Sequence, residues 1–222
     1  MRAAVYFTPP ADDPLTRAAA LWLGRDAFTG EPTRAADAAI DPLVAEPARY
    51  GFHATMRAPF RLADGVTMDE VRDALGRFAA GRAAFALPHI VLARLGGFHA
   101  LVPDGPASEL ADLEGDVLSA FEPFRAPLGE AERARRRPER LSARQLAHLD
   151  RWGYPFVQED FRFHMTLTGS LADPEASVAE TELRRRFASF EGTPLRIGSL
   201  ALFVEDATGG PFRVDFHAPF AG

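Results

Sequence analysis

The sequence predicts a single α+β body made of two related halves, and three observations lead to this expectation. The chain has 222 residues, of which 47% are hydrophobic and 25% charged, as in an ordinary folded protein. Signals for strands and for amphipathic helices both recur along it. A short pattern centred on a histidine occurs once in each half. Because a chain of this length fills one core or two packed half-domains, we expect one unit over residues 1–222.

Strand and helix signals alternate through the first half. Asp13-Pro14 supplies a capping residue and an N1 proline for a helix, and Thr67 and Glu70 have capping-box spacing. Pro59 makes the far end of its strand unsuitable for the centre of a sheet, because proline cannot donate a backbone hydrogen bond. The predicted elements are a strand over 2–7, a helix from 14 to about 24, a Pro- and Ala-rich connection to 47, a strand over 50–62, a helix from about 67 to 80 and a hairpin or bulged strand over 85–102.

The second half begins after the turn at 103–106 and repeats this alternation. Ser108 is placed as an N-cap, and Ser142 and Gln145 have capping-box spacing. The predicted elements are helices starting at 108, 142 and 173–174, the last running to about 190, and strands over 161–168, 197–205 and 212–216. We therefore expect a first lobe over 1–105 and a second over 106–222, with exchange of strands between them left open.

The two halves share a repeated motif. Tyr50-Gly-Phe-His53-Ala-Thr55 matches Phe161-Arg-Phe-His164-Met-Thr166, and the two histidines lie 111 residues apart (164 less 53). A helix and then an apolar strand follow each motif. Repeated supersecondary units usually pack around a shared axis, so a pseudo-twofold axis should bring His53 and His164 face to face.

Strand alternation then predicts a polar face. His53, Thr55 and Arg57 should project to one side of their strand, as should His164, Thr166 and Thr168 of theirs. Two facing imidazoles can act as base and acid at a phosphorus centre, and threonine hydroxyls can donate to the non-bridging phosphate oxygens. The motifs therefore predict a phosphoesterase with His53 and His164 as catalytic residues and Thr55 and Thr166 as phosphate-binding residues. This chemistry requires no metal and no cofactor.

The paired His-x-Thr motifs resemble those of the 2H phosphoesterase superfamily. The stretches around them, from Arg49 to Phe60 and from Phe161 to Gly169, with Trp152-Gly-Tyr-Pro155, resemble a bacterial branch associated with phosphonate metabolism. The resemblance implies two pseudo-symmetric lobes of antiparallel sheet flanked by helices, with a central cleft. It implies a cyclic phosphodiester of a nucleotide or a ribose phosphate as substrate, with a phosphoribosyl compound or an RNA end as candidates. It also implies His164 as base and His53 as acid.

Composition excludes several other classes of protein. The chain contains no cysteine, so disulfides, thiolate nucleophiles and cysteine-ligated zinc are ruled out. The net charge of −6 disfavours general binding to a nucleic-acid backbone. No P-loop or His-Glu-x-x-His motif is present. No apolar run is long enough for a signal peptide or a membrane span, so we expect a cytoplasmic protein with no membrane partner.

Two further residues have both a functional and a structural interpretation. Arg57 can bind phosphate or be a solvated arginine at a sheet edge. Tyr154 can line the cleft and stack on a base or sugar, or belong to the core.

The arginine-rich run over 133–144 is by default a solvated segment, and the alternative is a mobile lid over an anionic substrate. The remaining histidines, which have no repeated partner, are expected at surface or structural positions: His89, His99, His148 and His217.

Two alternatives to hydrolysis stay open at this point. A non-catalytic module could use the same cleft to sense a phosphorylated metabolite or an RNA end. Transfer to a hydroxyl rather than to water would use the same four groups. The oligomeric state is also open.

Overall fold

The computed structural model describes all of residues 1–222 and contains nine strands and seven α-helices. The strands are β1 (Arg2–Phe7), β2 (Ala54–Phe60), β3 (Phe85–Leu87), β4 (Ile90–Leu95), β5 (Phe98–Pro103), β6 (Met165–Thr166), β7 (Leu195–Ile197), β8 (Ser199–Glu205) and β9 (Phe212–Pro219). The helices are α1 (Pro14–Leu23), α2 (Asp41–Tyr50), α3 (Met68–Ala80), α4 (Ser108–Phe121), α5 (Glu130–Arg135), α6 (Ala143–Trp152) and α7 (Glu175–Phe187).

Seven strands form one antiparallel sheet in the order β4-β5-β6-β2-β1-β8-β9, while β3 pairs with β7 separately. The chain crosses between the two sides of this sheet. The β4–β5 hairpin from the first half pairs with β6, and β8 and β9 from the second half extend the sheet beyond β1. The predicted α+β class, with an antiparallel sheet and flanking helices, is confirmed.

The two repeated motifs meet at the middle of the sheet. β2 and β6 are antiparallel neighbours joined at one residue pair, Ala54 opposite Met165. When this register is continued by one residue, His53 lies opposite Thr166 and Thr55 lies opposite His164. Directly opposed residues have Cβ atoms about 4.5–5.5 Å apart. The centre of the Ala54–Met165 pair is thus the local twofold centre that relates the motifs.

The main core lies on one face of this sheet. Ala54 and Met165 are fully buried there, in a cluster with residues of helices α3, α4 and α7. Because side chains alternate along a strand, the residues that flank Ala54 and Met165 point away from that core. The opposite face carries a smaller apolar cluster that includes Tyr6, Phe203 and Phe212. The motif histidines and threonines lie on this second face.

The helix starts that depend on local capping agree with the sequence. Asp13 accepts a hydrogen bond from the amide of Leu15, with Pro14 as the first residue of α1. Reciprocal capping boxes begin α3, at Thr67 with Glu70, and α6, at Ser142 with Gln145. At α4 the predicted cap is wrong by one residue, since Ala107 occupies that position and Ser108 begins the helix.

Helix α2 was not predicted, because Pro47 lies inside it. Proline has no N–H to donate to the carbonyl four residues earlier, which is that of Leu43. That carbonyl instead accepts a hydrogen bond of 2.8 Å from the amide of Gly169, in the loop after the second motif. A tertiary contact therefore satisfies the group that proline leaves free and ties α2 to the second motif.

The two motif strands are shorter than predicted. The segment expected over 50–62 begins with the end of α2 and a turn at Gly51, so β2 starts only at Ala54. The segment expected over 161–168 is a strand only at Met165–Thr166. β2 does run through Pro59, where no pairing with β6 is present, so the missing proline N–H leaves no partner unsatisfied.

Other boundaries differ by a few residues. The expected strand over 197–205 is interrupted at Gly198, which separates β7 from β8. Helix α7 ends at Phe187, three residues before the predicted limit.

None of the helices has the length and apolar character needed to cross a membrane.

Candidate functional site

A cavity of about 660 Å³ opens on the face of the sheet that carries the motifs. Its lining includes His53, Thr55, His164 and Thr166, so the structure brings together the four residues placed at the site from sequence. Thr168 also lines it, and its hydroxyl accepts a hydrogen bond of 2.9 Å from the amide of His99.

His53 is fixed by its own turn and by an aromatic ring. Its Nδ1 lies 2.8 Å from the carbonyl oxygen of Gly51, so Nδ1–H donates and Nε2 carries the free lone pair. The ring stacks on that of Tyr6, with centroids 3.8 Å apart and an interplanar angle of 20°. The Thr55 hydroxyl lies 3.4 Å from Nε2. The Nε2 atom of His53 therefore points towards the Thr55 hydroxyl.

Gly51 permits this turn. Its φ is +78°, and a Cβ added to it would lie 2.5 Å from the Cβ of Ala27. Only glycine fits a backbone that is both left-handed and this close to a neighbour. The Gly51 carbonyl can therefore orient His53 only because residue 51 is a glycine.

His164 has the same local arrangement. Its Nδ1 lies 2.7 Å from the carbonyl oxygen of Arg162, again two residues earlier, and this leaves Nε2 free. Phe98 is its aromatic neighbour, at 5.6 Å between ring centroids. Both motifs therefore present the same tautomer to one cavity.

Both imidazoles are neutral near pH 7. Burial, together with the charge of a protonated His164, lowers the pKa of His53 to about 4, against the opposing effect of its hydrogen bond to Gly51. Burial also lowers the pKa of His164, while its bond to Arg162 opposes the shift. The site consequently takes up its first proton on His164.

The prediction that Arg57 shares the face of His53 is wrong. The β1–β2 register shifts twice, between Ala3 and Val5 and between Val5 and Tyr6. Such bulges break the alternation of faces. Arg57 is 2% exposed, pairs with Glu122 and is absent from the cavity lining.

Tyr154 does line the cavity. Burial raises the pKa of its hydroxyl, which stays protonated at neutral pH. The guanidinium carbon of Arg136 lies 5.1 Å from the ring centroid, within cation–π range. The ring is thus a wall of the cavity rather than part of the core.

Sequence reasoning missed a group of charged residues beside the motifs. Arg2 and Arg49 line the cavity and both pair with Glu205, which is fully buried. Burial alone would raise the pKa of Glu205, but hydrogen bonds from the two arginines outweigh it and lower the pKa to about 2. The one sequence signal for this group was the position of Arg49, which directly precedes the first motif.

No group of three or more His, Cys, Asp or Glu side chains is placed to hold a metal ion.

Residues 55–213 match the family described as "Protein of unknown function (DUF1045)", and the chain belongs to that family. A protein of Janthinobacterium sp. (strain Marseille) named ribose 1,5-bisphosphate phosphokinase PhnN is 38% identical over 231 residues, covering 100% of this chain and 51% of the relative. A protein of the same name from Laribacter hongkongensis (strain HLHK9) is 39% identical over 223 residues, covering 96% and 50%. The chain spans about half the length of these curated relatives.

Solved structures of phosphoesterases are also similar to the chain. A crystal structure of E. coli LigT complexed with 3′-AMP matches with a TM-score of 0.45 and 14% identity, covering 100% of this chain and 98% of that one. A second structure, described as a phosphoesterase, matches with a TM-score of 0.44, 13% identity and the same coverage.

Proposed function

We propose that this protein is a metal-independent phosphodiesterase that hydrolyses a cyclic phosphodiester of a ribose phosphate or nucleotide. The observation that carries this proposal is the symmetric site: two neutral imidazoles with unprotonated Nε2 atoms and two threonines in one cavity, related across the Ala54–Met165 pair. A purely structural histidine pair has no need of two unprotonated Nε2 atoms in a cavity.

The reaction needs only these groups and water. A water oxygen attacks phosphorus while one imidazole takes its proton. The bond from phosphorus to one ring oxygen of the cyclic diester breaks, and the second imidazole, protonated beforehand, gives its proton to that oxygen. Thr55 and Thr166 donate hydrogen bonds to the non-bridging oxygens as negative charge grows there. The product is a phosphomonoester with a free hydroxyl beside it.

We assign His164 as the acid and His53 as the base. The first proton goes to His164, and the pKa of His53, about 4, keeps His53 deprotonated over most of the pH range. The resemblance to the 2H superfamily implied the reverse assignment. The order of proton uptake in the free protein favours the present one.

The names of the curated relatives support the proposal of a ribose phosphate as substrate. The chain contains no lysine and no Gly-x-x-x-x-Gly-Lys-Ser/Thr loop, so we assign the named kinase activity to the half of those relatives that this chain does not span. Opening of a 1,2-cyclic phosphate on ribose 5-phosphate at oxygen 2 yields ribose 1,5-bisphosphate, the compound that such a kinase consumes. A cavity of about 660 Å³ is within the range of small-ligand sites.

A panel of cyclic phosphodiesters tests the proposal. Ribose 5-phosphate 1,2-cyclic phosphate, ribose 1,2-cyclic phosphate and the four 2′,3′-cyclic nucleotides are incubated with the protein in EDTA, and products are followed by ³¹P NMR. We expect a phosphomonoester product at an undiminished rate in the chelator. Tight calorimetric binding without turnover of any compound would favour the non-catalytic binding module instead.

A further inference from the structure

The cavity is positively charged although the protein as a whole is not. Its charged lining comprises four arginines and two glutamates. Of the two glutamates, Glu132 is already paired with Arg61, which lies outside the cavity. The chain as a whole has a formal net charge of −6. Since the imidazoles are neutral, the arginines determine the charge that a ligand meets.

The four arginines fall into two pairs. Arg2 and Arg49 share the buried carboxylate of Glu205, which fixes them and neutralises one of their charges. Arg135 and Arg136, at the end of α5, form no ion pair with a carboxylate. The side chain of Arg135 bonds only the Ala131 carbonyl, and that of Arg136 lies over Tyr154.

The segment that carries this second pair is held in place by its other charges. Glu132 on α5 pairs with Arg61, the residue that follows β2, and Arg133 on α5 pairs with Asp150 on α6. α5 is therefore tied to the sheet and to a neighbouring helix, while its two unpaired guanidiniums lie at the cavity. Guanidinium groups bind phosphate through paired, charge-assisted hydrogen bonds.

We propose that Arg135 and Arg136 form a second anion site, which binds a phosphomonoester group of the substrate while the cyclic diester lies between the two histidines. This inference rests on the proposed function and narrows its substrate class to molecules with two separate phosphate groups. Tyr154, which lines the cavity beside Arg136, forms the wall against which the connecting sugar packs. The arginine-rich run thus contributes two specificity-determining residues.

The test compares two substrates in matched variants. Ribose 5-phosphate 1,2-cyclic phosphate carries the second phosphate, and ribose 1,2-cyclic phosphate lacks it. In Arg136→Gln and in the Arg135→Gln/Arg136→Gln double variant, we expect the ratio of the two kcat/KM values to fall at least about tenfold. Arg140→Gln is the control, because Arg140 is an exposed arginine of the same run that does not line the cavity and forms no ion pair. Its ratio should equal that of the wild type.

Binding of ribose 5-phosphate gives an independent readout. Calorimetry should show an affinity at least about tenfold weaker in the Arg136 variants than in wild type and Arg140→Gln. An unchanged substrate ratio, or equal affinity for ribose 5-phosphate in all four proteins, overturns the second site. If neither cyclic compound is turned over but ribose 5-phosphate binding still depends on Arg136, the proposed function fails and the anion site stands.

Discussion

At the scale of single residues, the site is explained by what holds each imidazole. A carbonyl two residues earlier fixes the tautomer in both motifs, so the free Nε2 atoms follow from local backbone geometry. The sequence predicted that these histidines and threonines lie together at one site because the motif repeats. It could not predict Tyr6, whose stacking on His53 depends on the pairing of β1 with β2.

Changing the leaving group tests the assignment of acid and base. With a p-nitrophenyl phosphodiester, whose leaving group departs without protonation, loss of the acid should matter little. We expect His164→Ala to lose roughly 10²–10⁴-fold in kcat/KM with a cyclic ribose diester but far less with the p-nitrophenyl compound. His53→Ala should lose a similar factor with both. The opposite pattern would reverse the assignment.

The pH profile of kcat/KM reports the free protein, and both limbs can be predicted. His53 must be deprotonated, so activity should fall as the pH drops through about 4. His164 must be protonated, so activity should fall as the pH rises through the pKa of His164, which burial holds below 6.5. Ribose 1,2-cyclic phosphate is the suitable substrate because its diester does not titrate in this range. A profile that is flat up to pH 8 would contradict the assigned roles.

At the scale of elements, sequence patterns predicted correctly those helix starts that depend only on residues close together in the chain. The capping boxes of α3 and α6 were predictable because both partners are three residues apart. Helix α2 was not, since the Leu43 carbonyl freed by Pro47 is satisfied by Gly169 from the other half of the chain. Arg57 was misplaced for a similar reason, because a bulge exists only relative to a partner strand.

The corrected place of Arg57 predicts a structural role. Glu122→Gln would leave the buried Arg57 guanidinium without its carboxylate, so the free energy of unfolding should fall by about 3 kcal/mol in urea titrations. The exposed pair Arg82–Asp116 provides the control, and Asp116→Asn should cost less than about 1 kcal/mol. Folded Glu122→Gln should keep its kcat/KM. A loss of activity without a loss of stability would instead place Arg57 in catalysis.

At the scale of the whole molecule, the sheet is shared between the halves of the chain. β6 lies between β5 and β2, both from the first half, while β8 and β9 extend the sheet beyond β1. The repeat predicted that the motifs would face each other. The crossing of strands that achieves this depends on pairings between residues more than 60 positions apart, which no local pattern records.

This arrangement predicts that neither half folds alone. Residues 1–105 lack β6, the strand that joins β5 to β2. Residues 106–222 keep the β8–β9 pair but lack β1, which pairs with the other edge of β8, and lack both neighbours of β6. We expect each fragment to show no cooperative unfolding transition by circular dichroism, and the full chain to show one transition. A cooperative transition in either fragment would show that the lobes are independent.

The central claim is that two histidines on neighbouring strands form one acid–base site. Its most direct test is single-turnover hydrolysis of a cyclic ribose diester by His53→Ala, His164→Ala and the double variant, with folding checked by thermal unfolding. His99→Ala is the control, since His99 lies outside the cavity. We predict losses of roughly 10²–10⁴-fold in each single variant and a loss in the double variant smaller than their product, since the two groups act in one step. Full activity in either folded single variant would contradict the account.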